Sequence, residues 1–237
     1  SMKAAMNSRA GWLNASENDA VGPALPSDGP MLPSEPRIAS VSSKLILASS
    51  SPRRRDLLAR LAIVPDRIAS PDIDESPRAG EKPRAYALRM AEEKAAAVSR
   101  SDGEIVIAGD TTVAVGRRIL QQAADEEMQR SFLKLLSGRR HHVLSAVCVI
   151  GADGKVHSRI SDSIVRFKRL GDAEIDGYVK SGEGLGKAGG YAIQGIAAAF
   201  IPAINGSYSN VVGLPLPEVA GLLAGAGYPI TYEGNPA

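Results

Sequence analysis

Sulfur cross-links are the first thing this sequence excludes. Its 237 residues hold one cysteine, Cys148, so no disulfide can form within them. Cys148 lies in the apolar run "SAVCVI", which reads as a buried strand, and a reducing, cytoplasmic setting is expected. Aromatic residues are scarce, at 4%, which leaves little to stack the bases of a single-stranded nucleic acid. Charge of one sign is lacking too: 28 basic against 26 acidic side chains give a net charge of only +2. Any positive site must therefore be local. No apolar run approaches the ~20 residues of a membrane span. The first residues have no apolar stretch of signal-peptide type. Neither a nucleic-acid polymer nor a membrane is an expected partner.

What is present is an ordinary globular composition, 44% hydrophobic and 23% charged. Residues 1–42 are rich in Pro, Ser, Gly and Asn and show no sustained periodicity. They are expected to be a poorly ordered extension, with Trp12 inside it. Residues 43–237 are expected to form the folded domain. "KLILAS" reads as a buried strand, 52–62 as a helix, "DRIAS" as a second strand and "PDIDESPRAGEKP" as a polar loop. Residues 83–99 read as a helix opened by Pro83, and 104–109 as a buried strand, with "TVAV" and "RIL" continuing as strand or hairpin. Residues 124–138 read as an amphipathic helix, with Ala124, Met128, Phe132 and Leu135 on its buried side. Two long strands then flank the turn "GADG". A helix ending at Gly182, a glycine-rich loop, a strand in "AAAFIPAI" and a last helix in "LPEVAGLLAGAG" complete the pattern. Interleaved helices with a long antiparallel hairpin predict an α/β fold with a mixed sheet.

The stretch "ASSSPRRRDLL" carries a local contradiction. Ser51 reads as an N-cap and Pro52 as the first helical residue, so Arg53, Arg54 and Arg55 fall in the first turn. Cations there oppose the helix dipole. The placement makes sense if an anion sits at the helix start, with Ser49, Ser50 and Ser51 as hydroxyl donors and the arginines as clamps. Without an anion, Arg54 should slightly destabilise the empty protein. Of the three arginines, Arg55 is the best candidate for a merely solvated one.

Acidic residues form the second cluster. "DIDES" places Asp72, Asp74 and Glu75 in a loop, and "AGDTT" places Asp110 at the end of an apolar strand. A carboxylate at such an edge suits a metal ligand or a general base. Lys94 falls late in its helix, where the dipole favours it. Other motifs fail on context. "GLGKAG" satisfies G-x-G-x-x-G but precedes a strand instead of opening a helix, and Lys187 is followed by Ala188 where a Walker A loop needs Ser or Thr. His141, His142 and His157 lack zinc-ligand spacing and read as core or solvated residues. No G-x-S-x-G elbow occurs.

Taken in order, "LILASSSPRR", "DIDE", "RMAEEKA", "AGDTTVAV", "LLSGRRHHVLSAV", "EIDGYVKSGE" and "KAGGYAIQG…IPAINGSYSNVVGLPL" resemble the Maf-type nucleoside triphosphate pyrophosphatases over about residues 44–228. The resemblance implies a fold like that of the inosine triphosphatases, with a central cleft. It implies hydrolysis of a nucleoside triphosphate to monophosphate and pyrophosphate with a divalent cation, Mg²⁺ or Mn²⁺. By resemblance, Ser49 and Arg54 bind the triphosphate, with Ser51 beside them. Glu75, Lys94 and Asp110 are the catalytic set, and Glu75 and Asp110 are the metal ligands. Arg53, Thr111 and Gln194 match the specificity positions of the dTTP/UTP-type branch, and the Gln194 amide can pair with both edges of a uracil or thymine ring. One departure stands out: Gln122 occupies the position of a usual lysine, which would leave Arg117 or Arg118 to compensate.

The expected activity is therefore house-cleaning hydrolysis of dTTP, UTP and modified pyrimidine nucleotides. A second reading is a nucleotide-binding regulator of septum formation with turnover reduced by Gln122. A third is an enzyme preferring modified purines. The only macromolecular partner expected is a second copy, as a homodimer.

Overall fold

The computed structural model describes residues 43–232. The extension expected at 1–42 lies outside the described residues. A seven-stranded sheet forms the centre, in the order β2-β1-β3-β5-β6-β7, with β4 paired to β3. β1 (Leu45–Ala48) lies parallel to both β2 (Arg67–Ala69) and β3 (Ile105–Val115). β4 (Arg118–Leu120), β5 (Arg140–Ile150), β6 (Val156–Arg166) and β7 (Ala203–Asn205) all pair antiparallel with their neighbours. The mixed α/β sheet expected from the sequence is the one observed.

Helices cover both faces. Side chains alternate across a strand, so β1 sends Ile46 and Ala48 to one face and Leu45 and Leu47 to the other. On the first face lies α2 (Pro83–Ala96), whose Ala87, Ala91 and Ala95 recur at helical spacing and pack on Ile46, Val106, Ala108 and Cys148. Such small side chains admit close approach of helix to sheet. The free thiol of Cys148 is buried there, as its apolar run predicted. The second face carries α1 (Pro52–Ala59), α3 (Glu126–Leu136), α4 (Asp172–Lys180), α5 (Tyr208–Val212) and α6 (Leu216–Gly225). α3 is capped by Asp125, whose carboxylate accepts the Met128 N–H at 2.7 Å.

Three expectations need correction. The buried side of α3 is Gln129, Phe132, Leu133 and Leu136; Met128 and Leu135 are half-buried, and Ala124 lies exposed before the helix. "AAAFIPAI" is not one strand: Ile196–Phe200 form a 3-10 turn, leaving only Ala203–Asn205 as β7. Ala197 and Phe200, three residues apart, share its buried side, and Glu183 accepts the Ile196 N–H at its start. Finally, β3 does not stop at Gly109. It runs unbroken through Asp110 to Val115, because β5 pairs with it along nearly its whole length.

The opposite edge of β3 is interrupted. β1 accompanies it only as far as Ala108, and β4 joins only at Val113. Between these partners, Gly109 to Thr112 have no strand beside them on that edge among the described residues. The chain leaves β1 through "SSS" into α1 at this gap. The gap is where the cleft opens, close to the carboxyl end of a parallel strand, as ligand sites in α/β sheets commonly are.

Candidate active site

Because β3 is extended at the gap, Asp110 and Thr111 point to opposite faces. Asp110 shares the face of α2. There Lys94 donates to its Oδ1 at 2.8 Å and also reaches Glu75 Oε2 at 3.0 Å. Thr112 Oγ1 donates to Asp110 Oδ2 at 3.1 Å. Lys94 and Asp110 are each only 6% exposed. A buried ion pair is a poor source of stability, so this cluster is better explained by chemistry than by folding.

The acidic loop is held in place by α2. Tyr86 Oη donates to the Glu75 carbonyl at 2.8 Å, and Arg89 donates to the Ser76 carbonyl and, bidentately, to Glu81. The hydrogen bonds from Arg89 hold the Glu81 carboxyl down at about 2. Of the three acids in "DIDES", Glu75 alone joins Lys94 and Asp110; Asp72 and Asp74 are exposed.

On the other face, Thr111 belongs to a neutral chain of hydrogen bonds. Its hydroxyl lies 3.0 Å from Ser145 Oγ, which donates to the Asn210 carbonyl. The buried Asn210 amide donates to the Val143 carbonyl at 2.9 Å and to Ser163 Oγ at 2.7 Å, and its Oδ1 accepts the Ser145 N–H. This network fixes α5 to β5 and β6.

α5 in turn holds the arginines. Arg54 donates to the Gly213 carbonyl at 2.9 Å, to Ser49 Oγ at 3.1 Å and to Thr111 Oγ1 at 3.3 Å, while Arg53 donates to the Val212 carbonyl at 3.3 Å. Burial lowers the pKa of both, and for Arg54 the nearby Asp110 carboxylate opposes that shift. Gly109 makes room for this: a Cβ there would lie 3.3 Å from Arg54 Nε and 3.2 Å from Leu214 Cδ1. Ser51 sits at the N-cap of α1, and its hydroxyl makes no hydrogen bond to the helix. Arg55 is exposed beside Asp56, the solvated member of the three. The hydrogen bonds of Arg54 argue against the expectation that it weakens the empty protein, since its removal would strip three acceptors of a donor.

Both faces open onto one cleft. A lobe of about 250 Å³ is bordered by Ser49, Ser51, Arg53, Arg54, Lys94, Thr111 and Gln194. A second lobe of about 300 Å³ lies on the α2 side and includes Tyr86 and Thr112. Glu75, Asp110, Thr111 and Gln122 border both. The residues given a role by the family resemblance, Ser49, Ser51, Arg53, Arg54, Glu75, Lys94, Asp110, Thr111 and Gln194, thus all border the cleft. Arg117 and Arg118 do not: both are exposed, and Arg117 faces a separate recess with Glu81.

Sequence reasoning missed Lys187, which borders the first lobe, and Tyr191 beside it. Tyr191 Oη lies 2.8 Å from Nε2 of the buried His141, whose Nδ1 has no partner among the described residues. Burial, with the neighbouring His142 second, pushes the pKa of His141 down to about 4.

Glu75 and Asp110 offer hard oxygen donors of the kind Mg²⁺ or Mn²⁺ takes. Among the described residues, no group of three or more His, Cys, Asp or Glu side chains stands ready to hold an ion alone. Such a pair fits an ion that completes its shell with phosphate oxygens and water.

A model of the Maf-like protein family matches residues 44–226. The chain belongs to this family. It is 62% identical over 186 residues to the dTTP/UTP pyrophosphatase of Sphingopyxis alaskensis, covering 78% of this chain and 98% of that protein. It is 56% identical over 186 residues to the protein of the same name from Cereibacter sphaeroides, covering 78% and 96%. Among solved structures, the nucleoside-triphosphatase/dITP/XTP pyrophosphatase of Mycobacterium abscessus is similar over 54% of this chain and 75% of its own, at 18% identity and a TM-score of 0.35. The Ham1 protein of Staphylococcus aureus is similar over 52% and 71%, at 17% identity and a TM-score of 0.37. These two likenesses are partial, and the sheet described above stands on its own pairing. No helix among the described residues is long and apolar enough to cross a membrane.

Proposed function

We propose that the chain hydrolyses pyrimidine nucleoside triphosphates of the dTTP and UTP kind to monophosphate and pyrophosphate. The observation that carries this reading is the junction at β3. Arg53 and Arg54, which form no ion pair among the described residues, line one wall of a cleft whose other wall presents Asp110 and Glu75 on Lys94. The Maf-like relatives that bear the name dTTP/UTP pyrophosphatase support the same reading.

In this reading the triphosphate lies along Ser49, Ser51, Arg54 and Lys94. Charge-assisted hydrogen bonds from Arg54 orient the phosphates. Arg53, Thr111 and Gln194 stand where the nucleoside is read. Asp110 takes the proton of the water that attacks the α-phosphorus, and Lys94 and Thr112 hold the carboxylate in position. A divalent cation between Glu75, Asp110 and the phosphates would neutralise charge and make a bound water more acidic. Attack breaks the bond from the α-phosphorus to the bridging oxygen, and pyrophosphate leaves.

The reading carries a cytoplasmic setting and self-association as a homodimer, which sedimentation would measure. The regulator alternative rests on Gln122 for its reduced turnover, and the cluster of Glu75, Lys94 and Asp110 supports hydrolysis instead. The test is pyrophosphate release from dTTP, UTP, ATP and GTP with Mg²⁺ or Mn²⁺ and with chelator. Metal-dependent release from dTTP and UTP above the purines is expected. No release from any of the four would overturn the proposal.

A further inference from the structure

The glycine-rich loop that failed as a nucleotide fingerprint is fastened to the segment containing Gln122. Gln122 forms an antiparallel bridge with Ala188. Ala123 N–H donates to the Lys187 carbonyl at 3.1 Å, and Gly186 N–H donates back to the Ala123 carbonyl at 2.9 Å. Gly189 has φ +69°, and a Cβ there would meet Val113 Cγ1 at 2.8 Å. Glycine therefore lets the loop lie against β3, and the pairing fixes Lys187 next to Gln122.

Lys187 is half-buried at the first lobe, and its ammonium has no hydrogen bond or ion pair among the described residues. Burial lowers its pKa, and the charge of Arg53 lowers it further. A cation set beside another cation and away from acids is unfavourable in the empty protein. A polyanion between them would remove both penalties. Gln122, at the same border, carries no charge, and Arg117 and Arg118 lie elsewhere.

We propose that Lys187 supplies the positive charge at the phosphate lobe that Gln122 lacks, so that the glycine-rich loop is a catalytic element binding the triphosphate. This rests on the hydrolase reading for its effect on turnover, though not for its effect on binding. The test compares wild type, Lys187→Met, Lys187→Arg and the double variant Lys187→Met/Gln122→Lys. Affinity for α,β-imido-dUTP is measured by calorimetry, and pyrophosphate release from dTTP is measured alongside. Lys187→Met should weaken binding about tenfold and slow turnover more, as expected for loss of a charge-assisted contact. Lys187→Arg should keep most of both, and a lysine at position 122 should restore the Met variant to within about threefold of wild type, since charge rather than loop shape is at issue. Unchanged affinity in Lys187→Met, or no recovery in the double variant, would overturn the assignment. Should the wild type release no pyrophosphate, the proposed function falls and the binding comparison still judges Lys187.

Discussion

Asp110 and Thr111 are neighbours in β3, yet their two faces bury polarity in opposite ways. On the Asp110 face, charge is buried with counter-charge: Lys94 stands between Asp110 and Glu75. On the Thr111 face, the buried polar side chains Ser145, Ser163, Asn210 and His141 are neutral, and the arginines are held by backbone carbonyls. Backbone carbonyls orient a guanidinium without cancelling its charge. The second face is therefore left positive, and the first provides carboxylates fixed at a defined place. A polyphosphate is drawn to one face and presented to the other.

The sharpest way to break this division is at Asp110. Asp110→Asn keeps the shape and removes the proton acceptor. Turnover of dTTP should fall by at least ~100-fold, within the range of general-base removal. Affinity for α,β-imido-dUTP should change far less, because the phosphates rest mainly on the other face. A variant keeping more than about a tenth of the rate would assign the proton acceptor elsewhere.

Arg54→Ala attacks the other face. Affinity for the analogue should drop by ~2 kcal/mol, the scale of a charge-assisted hydrogen bond set. Here the empty protein should also lose stability, by about 1 kcal/mol, because Ser49, Thr111 and the Gly213 carbonyl lose their donor. Urea unfolding reads this directly. A more stable empty variant would mean that the unfavourable helix position outweighs those bonds.

The two faces were not equally legible in the sequence. Ser49, Arg54 and Asp110 belong to chemically conspicuous stretches, where polar or charged side chains stand at a helix start or after an apolar strand, whereas Glu75 in its loop and Lys94 late in its helix were singled out by the family resemblance. The strand-helix order was legible because apolar periodicity is local. The uninterrupted β3 was not, since "GDTT" looks like a turn until β5 is known to pair beside it. Asn210, Ser145 and Ser163 are ordinary polar residues whose significance comes from meeting across three elements. Lys187 was visible in "GLGKAG" but was weighed only as a phosphate-loop motif, and the bridge from Ala188 to Gln122 is a long-range contact. The 3-10 turn at Ile196–Phe200 was hidden because a short apolar run fits strand and helix alike.

The neutral face should resist charge, and His141 tests that. Its pKa lies near 4 in the fold against an ordinary 6.5, so the unfolded chain takes up the proton first. Its contribution is complete above pH 6.5 and is lost as pH falls toward 4. Between pH 7 and pH 5.5 the loss should be about 1 kcal/mol from this group. The measurement is the difference in urea-derived stability between those two pH values, for wild type and His141→Gln. The variant should lose less than wild type over this interval. Equal losses would mean that the His141 environment accepts the charged ring.

The smallest effect is expected at Gln194, at the exposed rim of the first lobe. An amide offers both a donor and an acceptor to a uracil or thymine ring, and a carboxylate offers only acceptors. Gln194→Glu should therefore lower kcat/KM for dTTP and UTP, with the purine triphosphates less affected. A rim position exposed to water and counter-ions limits the penalty, so about threefold between pyrimidines and purines is expected, roughly 0.7 kcal/mol. The added negative charge should also weaken every triphosphate by a common factor, because it stands on the positive face. That common loss should shrink as salt is raised, while the difference between bases should persist, since hydrogen-bond pairing is screened far less than long-range charge. Equal losses for all four bases, vanishing together at high salt, would reduce Gln194 to a bystander of the electrostatics and move base reading to Arg53 and Thr111.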